Sequence, residues 1–310
     1  LTRQAIQLGF WPRSKIVHTS REEIGQIYMP HVNWTLLAMI IWLVLSFGSS
    51  SRLAAAYGIS VSGCMVITTI LLYVVAERLW RWPKPILFLV FGFLAVFDTA
   101  FFISNFMKIR EGGWFPICLA LFVFTLMTTW KRGRKVLATR LRESGIHFKD
   151  LIKWLTEQNP VRVPGTAMVG DPDTVPPAFV HNVKHNHVRH ERVVILTVLT
   201  EEIPHVASDA RVAFEEVCPE IFRIVAHYGF METPRMDDIV RACTLKGLNL
   251  KLDDITFFLG RESLLASPRP GMAIWREHLF SFMSQNAQRA TTYFRIPPNQ
   301  VIEVGMQIEI

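Results

Sequence analysis

Apolar positions are not spread evenly along this chain. They crowd into four runs: Val32–Gly48, Leu53–Ala76, Pro85–Asn105 and Trp114–Trp130. The runs are nearly continuous rather than periodic, so no polar face is reserved for water. A helix rises 1.5 Å per residue, and roughly 20 apolar residues cross a ~30 Å hydrocarbon core. The pattern therefore predicts four membrane-spanning helices over about 32–48, 53–76, 85–105 and 114–130. Trp34, Trp80, Trp82, Trp114 and Trp130 stand near their ends, as an interfacial aromatic belt requires. Short helices of a water-soluble core are the plainer alternative. Four almost charge-free runs flanked by tryptophan speak against it.

Beyond Trp130 the pattern changes. Residues 131–162 read as a basic helical connector in which Ile152, Trp154 and Leu155 could ride an interface. Residues 163–310 read as an ordinary soluble domain. GTAMVG (165–170), RVVILTVLT (192–200), ITFFLG (255–260) and VIEVGMQIEI (301–310) carry the β-branched and aromatic content of strands. PPAFVHNVKHN (176–186), RMDDIVRACTLKG (235–247) and MAIWREHLFSFMSQNAQR (272–289) place apolar residues at helical spacing. The expected fold class is an α-helical integral membrane domain over 32–130, preceded by a lead-in at 1–31. An α/β domain built on a mixed sheet follows it.

Charge orients this picture. The net charge of +7 would suit a nucleic-acid binder, but the basic residues gather just outside the apolar runs, so no nucleic-acid partner is expected. Arg3, Arg13, Lys15 and Arg21 precede the first run, and Arg78, Arg81 and Lys84 lie between the second and third. Lys131, Arg132, Arg134, Lys135, Arg140 and Arg142 follow the fourth, and only Arg52, Lys108 and Arg110 lie on the other side. By the positive-inside rule the amino terminus, the middle loop and the carboxyl-terminal domain are cytoplasmic. Cys64, Cys118, Cys218 and Cys243 show no CxxC or CxxH spacing, which argues against a disulfide framework or a zinc finger. The chain starts at Leu1 without a signal-peptide pattern and is read as a fragment or processed product.

Polar groups inside the runs are the candidate chemistry, since each is costly in lipid. The second run is the richest, with Tyr57, Ser60, Ser62, Thr68 and Thr69 beside Gly58 and Gly63. Such residues serve close helix packing, or they line an ion path in which hydroxyl and backbone oxygens replace hydration water. Asp98 is the one acid deep in a run. A carboxylate there costs about 2.5–3.5 kcal/mol on insertion scales, so it must be protonated, paired or turned to a cavity. Proton relay and helix-to-helix anchoring are the two readings.

Long strings then resemble a known family: QAIQLGFWPRSKIVHTS (4–20), EIGQIYMPHVNW (23–34), FGSSSRLAAAYGISVSGCMVITT (47–69), EGGWFP (111–116) and MTTWKRGR (127–134). VPGTAMV (163–169), HNVKHNHVRHERVVILTV (181–198), YGFMETP (228–234), FFLGRES (257–263) and IPPNQVIEVGMQIEI (296–310) extend the likeness over essentially the whole chain. The chain resembles the KUP/HAK/KT potassium uptake permeases, in their bacterial Kup form. The resemblance implies a twelve-span permease with the inverted-repeat core of the amino acid–polyamine–cation (APC) transporters, two accessory spans and a cytoplasmic carboxyl-terminal domain. The four runs would be its ninth to twelfth spans. It implies K+ uptake coupled to inward H+ in the cytoplasmic (inner) membrane, no cofactor, and a homodimer. An upstream half would carry most of the ion site. Tyr57 would lie beside the ion pathway, with Ser60, Thr68, Thr69 and Asp98 as further pathway residues. Relatives use the carboxyl-terminal domain for regulation, some through a nucleotide messenger. No GxxxxGK or GxGxxG loop occurs here.

Other function classes have weaker support in the residues. His181 and His185, four apart on a helix, form a weak metal alternative beside His187 and His190, and a structural helix–turn–strand role is preferred. A membrane-anchored enzyme would need an activated nucleophile. Cys218 and Cys243 have no base at motif spacing, and Asp253–Asp254 reads as a solvated turn. A regulatory or assembly module of the permease is the remaining alternative and is compatible with transport.

Overall fold

The computed structural model describes residues 1–19, 26–144, 153, 157, 160–170, 177–265, 267 and 271–309. Ile152, Trp154 and Leu155, and with them most of the expected connector, lie outside the described residues. The chain divides into two compact units, Ile16–Thr125 and Leu1–Lys15 together with Leu126–Ile310.

The first unit follows helix α1 (Thr2–Gln7), which belongs to the second. It opens with a short antiparallel ribbon, β1 (Val17–His18) and β2 (Ile27–Tyr28). Helices α2 (Pro30–Phe47), α3 (Ser50–Arg78) and α4 (Lys84–Phe106) come next, followed by α5 (Trp114–Ser144), which belongs to the second unit from Leu126 onward. Pro30 starts α2 at a position where its missing N–H is no loss. Gly48 ends α2 at φ 60°, a left-handed conformation that glycine adopts without strain. Ser49 caps α3 by accepting from the Arg52 N–H at 3.4 Å.

All four helices are long and apolar enough to cross a membrane, and at most 17% of the most apolar stretch of any one is buried. Apolar side chains facing outward all around the helices invert the pattern of a water-soluble protein, and they fit lipid as the surrounding solvent. This is a membrane protein. Its tightest helix pair is α3–α4. Gly58 lies against Asn105, Gly63 against Phe102, Thr69 against Asp98, Tyr73 against Phe91, and Ala76 clusters with Leu87. Residue numbers rise on one helix as they fall on the other, so the pair is an antiparallel hairpin. Small residues at 58, 63 and 76 let the helices approach.

The second unit is the expected α/β domain. Its strands are β3 (Val161–Val169), β4 (Val188–Glu201), β5 (Val212–Cys218), β6 (Ile221–Gly229), β7 (Ile255–Leu265) and β8 (Val301–Glu309). They form one sheet in the order β5-β6-β4-β3-β7-β8, parallel throughout except for the β5–β6 pair. The sheet is therefore mixed. Alternate residues face opposite sides. Ala167, Val169, Val193 and Ile195 pack on α6 (Pro177–Asn186). Met168, Val194 and Leu196 pack on α7 (Met236–Leu245) on the other side. A sheet covered on both faces explains strands as uniformly apolar as VVILTV.

Helix α8 (Ile274–Gln285) and the short α9 (Ala290–Tyr293) complete the unit. From Leu126 onward α5 packs with α8. The Trp130 and Phe280 rings stand 5.3 Å apart, and Gly133 meets the Phe280 ring where no side chain would fit. Residues 1–15 strap across this unit. Arg3 donates to the Met231 carbonyl (2.7 Å) and the Thr233 hydroxyl (2.9 Å), and Gln7 donates to the Glu232 carbonyl. Arg13 lies over the Tyr293 and Phe294 rings, each 5.1 Å away, while its carbonyl accepts from the Gln288 N–H.

Candidate ion pathway

Helix α3 is the span richest in polar side chains, and its geometry sorts them into two sets. At 3.6 residues per turn, Tyr57, Ser60, Cys64 and Thr68 fall within a sector of about 80°. All four are exposed, Tyr57 at 72%. The opposite side holds Ala55, Ile59, Ser62 and Ala76, all buried, and half-buried Thr69. Ser60 and Ser62 satisfy their hydroxyls on their own helix, donating to the Ala56 carbonyl (2.9 Å) and the Gly58 carbonyl (2.7 Å). Neither leaves an unpaired donor in lipid.

Thr69 instead donates across the hairpin to the Asp98 carboxylate. Asp98 is only 6% exposed, so its charge or proton is held between α3 and α4 rather than in lipid. Among the expected pathway residues, then, Thr69 and Asp98 are brought together. Tyr57, Ser60 and Thr68 form a separate hydroxyl-bearing stripe on the far side of α3. Asn105 was missed by the sequence reading. It donates to the Phe101 carbonyl at 2.9 Å and covers Gly58. The signal was present, since Asn105 follows Asp98 by seven residues, two turns along one helix face.

A cleft of about 570 Å³ lies where α2 meets α3 and α4 meets α5, lined by Trp42, Ser46, Arg52, Arg110, Glu111 and Trp114. Gly112 closes it at φ 147°, with the Arg52 carbonyl 2.6 Å from where a Cβ would stand. Glycine is required there twice over, for conformation and for room.

In the α/β unit a cleft of about 1130 Å³ opens at the amino ends of β3, β7 and β8, with Asp253 and Asp254 among its lining residues. Its arginines are already engaged. Arg162 and Arg189, the latter just behind the lining, both pair with Glu220 (3.0 and 2.8 Å), and Arg192 donates to the Asn249 carbonyl (2.7 Å).

The histidines do not converge. His181 and His185 stack in parallel on α6 with ring centroids 5.7 Å apart. His187 makes the left-handed turn from α6 into β4, at φ 56°, and its backbone bonds to Val183 and Val161. His190 is half-buried edge-on to Phe258, its Nδ1 has no partner among the described residues, and burial lowers its pKa. No group of three or more His, Cys, Asp or Glu that could hold a metal occurs among the described residues. Burial raises the thiol pKa of Cys218 and pushes that of Cys243 up to about 11, so both are protonated at neutral pH and poor nucleophiles.

Comparison with known proteins fits both units. Residues 1–135 match the family model described as the K+ potassium transporter integral membrane domain, and residues 164–310 match the K+ potassium transporter C-terminal domain. The protein of Myxococcus xanthus named "Probable potassium transport system protein Kup" is 54% identical over 312 residues, covering 100% of this chain and 48% of that protein. The Bdellovibrio bacteriovorus protein of the same name is 51% identical over 318 residues, again covering 100% and 48%. "Probable potassium transport system protein Kup 2" of Chromobacterium violaceum is 47% identical over 312 residues, covering 100% and 50%. The chain thus spans about half the length of the curated relatives it matches. Matched in its membrane part and its carboxyl-terminal part alike, it belongs to the potassium transporter family of the bacterial Kup proteins.

Proposed function

We propose that this chain supplies the carboxyl-terminal half of a secondary transporter that takes up K+ across the cytoplasmic membrane in symport with H+. The observation that carries the reading is the split of polar groups on α3. One side is sealed to α4 through Thr69 and Asp98, and the other presents Tyr57, Ser60 and Thr68 along one stripe of an otherwise apolar helix. Hydroxyls are costly against lipid but suit a surface that replaces a cation's hydration shell. In this reading α2 and α3 belong to the APC-type inverted-repeat core and α4 and α5 are accessory. Tyr57 lies beside the ion path, and Asp98 is the candidate proton carrier. The basic clusters flanking the spans support a cytoplasmic α/β domain. That domain regulates or assembles the permease, which works as a homodimer.

The test is rubidium uptake in cells lacking their own potassium uptake systems. One culture expresses this chain alone, and another adds the amino-terminal half of the Myxococcus relative. Uptake only in the second culture, competed by K+ and increased by external acid, is expected. Tyr57→Ala should lower it while leaving both pieces in the membrane. Absence of uptake with both pieces in the membrane would overturn the reading.

A further inference from the structure

Helix α5 continues without a break from its apolar run into the α/β unit, so it serves as a ruler for depth. Thr128, Thr129 and Trp130 end the run and Lys131 and Arg132 begin the basic stretch. That sequence marks the boundary between hydrocarbon and headgroups.

Neighbouring chain can be placed on this ruler. Gly271 stands level with Arg132 and Val136, accepting from Arg132 at 2.9 and 3.1 Å. Five residues later Arg276 donates to the Thr129 and Thr128 hydroxyls at 2.8 and 3.0 Å. Phe280 is back beside Trp130 and Gly133. The chain therefore descends towards the bilayer after Gly271, reaches its deepest point near residues 273–276, and climbs away along α8.

At that deepest point Ile274 and Trp275 are 58% and 57% exposed. The Arg276 guanidinium stands 5.9 Å from the Trp275 ring. An aliphatic side chain, a tryptophan and an arginine at the level of the last turn of a membrane span have the chemistry of the interfacial layer. There, apolar bodies enter the acyl boundary and charged tips meet phosphate. We propose that the amino-terminal turn of α8 is a membrane-surface anchor, with Ile274 and Trp275 inserted in the interfacial layer of the leaflet that α5 leaves. The anchor holds the α/β domain to the lipid surface through α8. Phe282, 64% exposed, stands about 10 Å further along α8 than Trp275.

The experiment uses the whole chain in nanodiscs of phosphatidylethanolamine and phosphatidylglycerol. Cys64, Cys118 and Cys218 are replaced by alanine, and fully buried Cys243 is left in place. An environment-sensitive fluorophore is attached at Trp275→Cys, at Ile274→Cys as a second position, and at Leu245→Cys, an 88% exposed site on α7. Nitroxide placed high on the lipid acyl chains should quench positions 274 and 275 about twofold or more, as expected for side chains about 5–10 Å into the boundary, and leave position 245 unquenched. Two results would overturn the proposal. Labels at 274 and 275 as open to aqueous quencher as the one at 245 would place them in water. Labels shielded from lipid and aqueous quenchers alike would mean that protein, not lipid, covers the turn. The readout does not depend on which ion is carried, so failure here leaves the transport reading standing.

Discussion

Removing the Thr69 hydroxyl isolates the Asp98 carboxyl, and the cost depends on what Asp98 does. Thr69 donates to Asp98 across the α3–α4 hairpin, and Asp98 is 6% exposed. Interhelical hydrogen bonds within a membrane contribute about 0.6 kcal/mol on average and about 1.7 at most. Thr69→Val keeps the β-branched shape and should therefore shift the hairpin equilibrium by about 3- to 18-fold. Asp98→Asn keeps an oxygen to accept from Thr69 and removes the ionisable group, so the hairpin should hold to within about 0.6 kcal/mol. Asp98→Leu loses the bond as well and should behave like Thr69→Val. The assay is reversible unfolding of the whole chain in mixed micelles of mild detergent and dodecyl sulfate, followed by cross-linking between cysteines placed at Gly63 and Phe102, which face each other. In the uptake assay Asp98→Asn separates the two roles. A proton carrier loses H+-coupled uptake with the hairpin intact, whereas an anchor keeps it. If Thr69→Val leaves the hairpin as stable as wild type, or Asp98→Asn weakens it as much as Asp98→Leu, the bond does not hold the helices together and the reasoning fails.

Further outcomes are expected in the α/β unit. The Glu232 carboxylate accepts from the Val206 and Gly229 N–H groups (3.1 and 2.7 Å) and from Arg211. Glu232→Ala strands those buried donors at about 1–3 kcal/mol each, and hydrogen exchange at Val206 and Gly229 should accelerate accordingly. His190 has its pKa lowered by burial, so between its folded and unfolded values the unfolded chain binds more protons and stability rises with pH. The domain should accordingly lose stability as pH falls below about 6.5, and His190→Phe should flatten that part of a melting-temperature profile. Cys243, with its thiol pushed up to about 11 and fully buried, should resist maleimide at pH 7.5 until the domain unfolds. Labelling in the native state would show that α7 opens locally.

What was legible in the sequence divides by the kind of physics involved. The apolar runs could be read because lipid demands that nearly every side chain along them be apolar, and no tertiary partner is needed to explain that. The central strands could be read because both sheet faces are covered and RVVILTVLT has no polar side to hide it. Strands β5 and β6 went unread for the complementary reason. VAFEEVC is an edge strand, with Glu215 and Glu216 both exposed, and edges keep charges that blunt further pairing. IFRIVAHYG carries Arg223 and His227 among its apolar residues, and those two find partners only in the folded sheet, at Glu215 (3.6 Å) and Glu201 (2.6 Å). The candidate pathway shows the same limit. The resemblance grouped Tyr57, Ser60, Thr68, Thr69 and Asp98 as one set, but only helix rotation separates Thr69 from Tyr57, Ser60 and Thr68 and turns it towards α4. The strap of residues 1–15 was invisible because contacts such as those of Arg3 and Gln7 are single side chains meeting backbone carbonyls more than two hundred residues away. These are the features through which a lead-in to the membrane spans and a carboxyl-terminal domain can influence one another. A change at Arg3 that loosens the 231–233 turn would act on the domain without touching any residue in the bilayer.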